Sequence, residues 1–180
     1  MYAMTEAGTE QDHVDRFLET LRERLPDLDL DVEGIVDRIH GLNRRFRRMM
    51  EATLADHGLT YEEWGVLNML YQSGPPFRVA PGKLARRLEL TSGAMTARLD
   101  KLEEAGLVRR QPNPDDRRGL RVELTEPGKK AYRQAVGAQA EKEAFVAAAL
   151  SQQEKDELNA LLRRLMRQFE SIEPEKPGKL

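Results

Sequence analysis

The stretch from Val79 to Leu124 constrains this chain more than any other. It holds two short segments with helical apolar spacing, parted by two residues, and then two strand-like runs around a polar turn. The first segment, from about Gly82 to Leu88, is expected to be a helix with Pro81 near its first position, where a missing N–H costs nothing. Glu89-Leu90 make the turn. Thr91 or Ser92 caps the second helix, because a hydroxyl oxygen there accepts an orphan backbone N–H. With Thr91 as the cap, Leu90 and Met95 take the two staple positions that fix the entry angle. Met95, Leu99 and Leu102 then share one face. Gly93, Thr96, Ala97, Asp100 and Lys101 lie opposite and are small or polar. Gly106 stops the helix. Leu107 to Gln111 and Leu120 to Leu124 read as strands, and the residues between them, Pro112 to Gly119, read as a hairpin tip with two adjacent arginines. A helix that packs on one side and offers short polar groups on the other suits the major groove of duplex DNA.

Net charge alone argues against a nucleic-acid partner, since the 180 residues sum to −2. Its distribution argues for one. Between Arg78 and Arg121 there are 11 Lys/Arg against 6 Asp/Glu, a local +5, which leaves the rest of the chain at −7. The chain has no cysteine, which excludes disulfides, thiolate zinc sites and thiol-based redox sensing. His13, His40 and His57 are scattered without metal-ligand spacing, so neither a metal nor a cofactor is expected. There is no Gly-rich phosphate loop, nucleophile elbow or metal triad, so an enzyme is not expected either. No run approaches the roughly 18 apolar residues of a membrane span, and the first residues lack a signal-peptide core. The expectation is a cytoplasmic protein with no membrane partner.

Around the central stretch the chain is expected to be helical. Residues 1–10 read as a disordered lead-in. Val14, Phe17, Leu18, Leu21 and Leu25 form an amphipathic stripe ended by Pro26. Asp31 is expected to cap a long helix with Ile35, Ile39, Leu42, Phe46, Met49, Met50 and Leu54 as its stripe, ended by Gly58 with His57 in the last turn. Its polar face carries Arg44, Arg45, Arg47 and Arg48, read either as a solvated face or as phosphate or inter-subunit contacts. Thr60 and Glu63 have capping-box spacing, with Leu59 and Trp64 as the staple. Gly74-Pro75-Pro76 breaks that helix, and Phe77 to Val79 can add a short strand to the hairpin. Thr125-Glu126-Pro127 opens another long helix. Ser151 and Glu154 cap a last one with a stripe of Leu158, Leu161, Leu162, Leu165, Met166 and Phe169. From Ser171 to residue 180 a flexible tail is expected. A small domain cannot hide this much stripe alone, so a homodimer is inferred, with Phe17, Leu21, Ile35, Ile39, Leu158, Leu161, Leu162, Leu165 and Phe169 in its interface.

From about Val32 to Phe169 the chain resembles the MarR family of winged helix-turn-helix transcriptional regulators. The most specific match runs from Leu90 through Thr91-Ser92-Gly93-Ala94-Met95-Thr96 to Arg110. Pro114-Asp115-Asp116-Arg117-Arg118 and Arg121 to Gly128 complete it. The resemblance implies a mainly α fold with a small β-hairpin wing. In it, a winged helix-turn-helix DNA-binding domain (59–124) lies between N-terminal helices (11–58) and C-terminal dimerisation helices (125–170). It further implies a two-fold dimer on a pseudo-palindromic operator in double-stranded DNA, one recognition helix per major groove and the wing in the adjacent minor groove. A repressor released by a small phenolic or lipophilic effector is the family pattern. The alternative is a DNA-binding regulator or architectural protein with no effector. The helix from Val14 to Leu25 is an addition to the common pattern. Some urate-responsive members carry a tryptophan in such a helix, and here the single tryptophan is Trp64, elsewhere, so urate sensing is not carried over.

The candidate DNA contacts are Thr91, Ser92, Gly93, Thr96, Arg98 and Lys101 on the second helix and Asp116, Arg117 and Arg118 on the wing. Helix-start N–H and hydroxyl groups hold phosphates, and positive tips suit a narrow minor groove. Asp116 is assigned to orienting a neighbouring arginine. Arg98 has an alternative reading, an ion pair with Glu103 or Glu104. His40, Phe46, Trp64 and Tyr71 are the candidate effector contacts, with core packing as the other reading of Trp64 and Tyr71.

Overall fold

A computed structural model describes residues 11–113 and 116–172, and within these it leaves the side chains of residues 116–118 undescribed. The described residues form seven helices and a three-stranded antiparallel sheet. They divide into two compact units between Trp64 and Gly65, inside the third helix.

The first unit is a helical hairpin. Asp12 caps α1 (His13–Arg24) by accepting the Val14 and Asp15 N–H groups, and Asp15 returns the bond to the Asp12 N–H. α2 (Leu30–Ala55) begins earlier than the sequence suggested. Asp29 is its cap, accepting from Asp31 and Val32, and Asp31 lies in the first turn. α1 packs on α2 where Gly34 and Gly41 are buried. A Cβ on Gly34 would come within 3.2 Å of the Leu18 side chain, so this glycine sets how close the two helices run. Arg38 ties the pair further, to Asp12 at 3.0 Å and to Asp15 at 2.5 Å. α2 ends at Ala55, with Asp56 as its cap. His57 is therefore outside the helix, not in its last turn. The chain tightens there into shorter-range bonds, His57 N–H to Leu54 O and Gly58 N–H to Ala55 O, and Gly58 takes a φ of +68°. α3 (Tyr61–Gln72) starts from the expected capping box, with reciprocal Thr60 and Glu63 bonds of 2.9 and 3.1 Å.

The second unit holds the sheet and the short helices. β1 (Arg78–Val79) pairs with β3 (Asp116–Leu124), which pairs with β2 (Val108–Asn113). α4 (Pro81–Arg87) and α5 (Ser92–Glu104) lie between β1 and β2 in the chain. Val66, Leu67, Leu70, Leu84, Met95, Leu99, Leu102, Val108, Val122 and Leu124 are its core. The hairpin is longer than the sequence suggested. Pairing runs out to Asn113 and Asp116, because a register shift beside Pro112, which has no N–H, lets the ladder continue past it. Asp116, Arg117 and Arg118 thus have their backbone in β3 rather than in an eight-residue loop.

Thr125 caps α6 (Glu126–Ala147) through the Gly128 N–H and donates its hydroxyl to the Gly106 and Leu107 carbonyls. A side chain at Gly128 would overlap the Leu107 carbonyl, so that position requires glycine. α7 (Gln152–Ile172) follows the Ser151–Glu154 box. It holds two residues of the expected tail, Ser171 and Ile172; the rest of the tail, like residues 1–10, lies outside the described residues.

Candidate nucleic-acid interface

α5 is built as the sequence requires. Thr91 is its cap, its Oγ1 accepting the Ala94 N–H at 3.2 Å. Met95, Leu99 and Leu102 are each no more than 2% exposed and anchor the inner face. Thr91, Ser92, Gly93, Thr96, Ala97, Asp100 and Lys101 are all exposed. A Cβ at Gly93 would meet nothing, so the start of the helix is open to an approaching backbone. Thr96 donates its hydroxyl to the Ser92 carbonyl at 2.9 Å, which leaves its oxygen lone pairs and methyl outward.

Arg98 is half-buried on the flank of α5. Its alternative reading does not hold. Glu103 is engaged elsewhere, and no described acidic group pairs with Arg98. Lys83, Arg86 and Lys101 also have no ion-pair partner among the described residues. The side chains of Asp116, Arg117 and Arg118 lie outside the described residues.

Three other arginines of the basic stretch are engaged within the module. Glu123 sits on the central strand and takes Arg78 at 3.0 Å from one side and Arg109 at 2.9 Å from the other. The Arg109 bonds hold its carboxylate below the usual range, against the burial that opposes its charge, and Arg78 adds to this. Arg110 is the residue that sequence reasoning missed. It leaves β2 and reaches back to α5, meeting Asp100 and Glu103 at 2.7 Å each and the Thr96 carbonyl at 3.2 Å. Burial works against its charge, but these bonds hold its guanidinium above the ordinary value. The signal was present in the sequence, since Asp100 and Glu103 sit one turn apart on a helix, and an arginine pair follows its end after four residues.

Of the four candidate effector residues, His40, Phe46 and Trp64 lie in the first unit and Tyr71 in the second. His40 and Phe46 are exposed on α2, and Trp64 is half-buried with Tyr61 at 6.0 Å. Tyr71 stacks on Tyr132 at 4.4 Å and on Phe77 at 5.5 Å, Lys129 lies over Phe77, and the Tyr132 hydroxyl donates to Asn68. The candidate dimer residues other than the half-buried Leu21 are exposed, from Ile39 at 38% to Phe169 at 58%.

A model of the MarR family matches residues 57–119. The chain is 29% identical over 144 residues to the HTH-type transcriptional regulator PecS of Dickeya dadantii, spanning 80% of this chain and 87% of PecS. It is 31% identical over 137 residues to the HTH-type transcriptional regulator YkoM of Bacillus subtilis, spanning 74% of this chain and 87% of YkoM. The chain belongs to the MarR family. Among solved structures it is similar to a mutant MarR of Escherichia coli complexed with operator DNA. That match has a TM-score of 0.58 at 28% identity and covers 81% of this chain and 96% of MarR. As a MarR family member the chain is a DNA-binding transcriptional regulator and not an enzyme. α4 and α5 are then its helix-turn-helix, and β2 and β3 its wing. No described helix is long and apolar enough to cross a membrane.

Proposed function

We propose that this regulator binds a pseudo-palindromic operator as a homodimer and represses transcription until a small aromatic or lipophilic effector releases it. Residues 59–124 serve as the DNA-binding domain, and the helices of 11–58 and 125–170 join the two copies. In each copy α5 enters the major groove. Ser92, Gly93 and the cap Thr91 take a phosphate at the helix start, Thr96 and Lys101 face the bases, and Arg98 contacts DNA from the flank. The wing arginines Arg117 and Arg118 reach the next minor groove, with Asp116 orienting one of them.

The observation that carries this reading is the two-sided make-up of α5. Its inner face is fully buried, while its outer face is open and short-chained, and of the charged groups there, among the described residues, Asp100 is ion-paired and Lys101 is not. A helix with that division has no internal use for Ser92, Gly93, Thr96 or Lys101. The solved MarR complexed with operator DNA adds the partner class. The dimer is supported by the apolar stripe of α7, which is exposed from Leu158 to Ile172.

Two recognition helices must stand roughly 34–36 Å apart to meet successive major grooves. An effector that favours another spacing releases DNA to the extent of its differential affinity for the two states. His40, Phe46, Trp64 and Tyr71 are the residues assigned to it. The test is selection of bound duplexes from a random pool, followed by titration of phenolic compounds against the complex. A two-fold symmetric consensus released by such a compound supports the whole reading. A symmetric consensus that no compound releases leaves a regulator without an effector. Selection that enriches no consensus overturns the operator itself.

A further inference from the structure

We propose that Arg110 is a positioning residue for sequence recognition, holding α5 and the wing as one reading head. This rests on the reading that α5 enters the groove. Arg110 belongs to β2, where it pairs with Val122 across the hairpin. Its guanidinium leaves the sheet and meets α5 at three places, the Thr96 carbonyl at 3.2 Å, Asp100 Oδ1 at 2.7 Å and Glu103 Oε2 at 2.7 Å. Its own N–H donates to Glu103 Oε1 at 2.7 Å. One residue thus spans about two turns of the helix, from Thr96 to Glu103.

Three features make this more than a surface ion pair. The contacts include a backbone carbonyl, so they fix the helix axis as well as its side chains. The side chain of Arg110 is only 22% exposed while that of Asp100 is 59% exposed, so the helix is gripped from its flank at the edge of the outer face. The geometry also needs a planar fork of donors, which a lysine ammonium lacks. Rotation of α5 about its axis and the direction of the hairpin are therefore set together. Base contacts from Thr96 and minor-groove contacts from the wing come into register only while this brace holds.

Charge makes the proposal separable from ordinary DNA attraction. Asp100 is an acid on the DNA-facing side, and its removal should strengthen binding if only Coulomb attraction mattered. Arg110 is a cation, and if it touched a phosphate its loss would flatten the salt dependence by about one unit of slope.

The experiment measures affinity for the selected operator and for a random duplex across a salt series. It compares the full-length wild type, Arg110→Gln, Arg110→Lys, Asp100→Asn and the Arg110→Gln, Asp100→Asn pair. The expected result is a loss of about tenfold in the operator-to-random ratio for each single variant, an unchanged salt slope for Arg110→Gln, and a double variant little worse than either single. Asp100→Asn changes an exposed group and keeps the fold, so it decides the matter even if Arg110→Gln unfolds. Tighter binding by Asp100→Asn, full specificity in Arg110→Lys, or a flattened salt slope in Arg110→Gln overturns the brace. If Arg98→Ala also leaves operator binding unchanged, the groove reading of α5 fails instead.

Discussion

Thr91 decides where α5 begins, and its hydroxyl does so with one bond to the Ala94 N–H. Thr91→Ala should lower stability by about 1 kcal/mol, measured by thermal or urea unfolding, and Thr91→Ser should restore it. Acid acts on a different cap. Asp12 has its carboxyl lowered from 3.8 to about 2, first by the Asp15 N–H, against desolvation, and then by Arg38 and the Val14 N–H. A lowered folded value means that its contribution is fully present above 3.8 and is lost as pH falls toward 2. Protection of the α1 amides, taken relative to their intrinsic exchange at each pH, should therefore fall between pH 4 and 2, and Asp12→Asn should remove most of that dependence. No change in α1 protection across that range would mean that the Asp12 cap does not hold the helix. Glu123 follows the same sign, so the tie between β1, β3 and β2 weakens in acid as well.

At the scale of elements, α5 and its inner stripe were legible from spacing alone, since Met95, Leu99 and Leu102 are the buried face; the sequence left Thr91 or Ser92 as the cap, and the structure takes Thr91. Local signals also placed the Thr60 and Ser151 boxes and the strand at Arg78–Val79. They failed where a tertiary or longer-range term decided. Asp29 and Asp31 both carry a cap side chain in sequence, and the structure takes Asp29, which accepts the Asp31 and Val32 N–H groups. Pro112 read as the first residue of the hairpin tip, yet a register shift carries the ladder past it. The Arg110 contacts join residues 7 to 14 positions apart, beyond any helical or strand period. Two substitutions test the elements by function. Arg98→Ala should cost about 1–3 kcal/mol in operator binding, measured by fluorescence anisotropy, while leaving the melting temperature unchanged. Leu99→Ala, on the opposite face, should cost about 2–5 kcal/mol in folding stability.

The whole molecule is organised by what a single copy leaves uncovered. α7 has no buried residue although Leu158, Leu161, Leu162, Leu165, Met166 and Phe169 share one stripe. α2 likewise exposes Ile35, Ile39, Leu42 and Phe46. Exposed apolar surface on this scale marks an interface, and a second copy is the partner the family pattern supplies. Replacing Leu161 and Leu165 by Asp should shift the protein to single subunits in sedimentation at micromolar concentration. It should also weaken operator binding far more than random-duplex binding, because each half-site then binds alone. The most direct measurement is the mass of the complex formed on one selected operator duplex, read by native mass spectrometry. Two chains per duplex, with one chain absent at every ratio of protein to DNA, is the expected result. A stable complex of one chain on the full operator would contradict it.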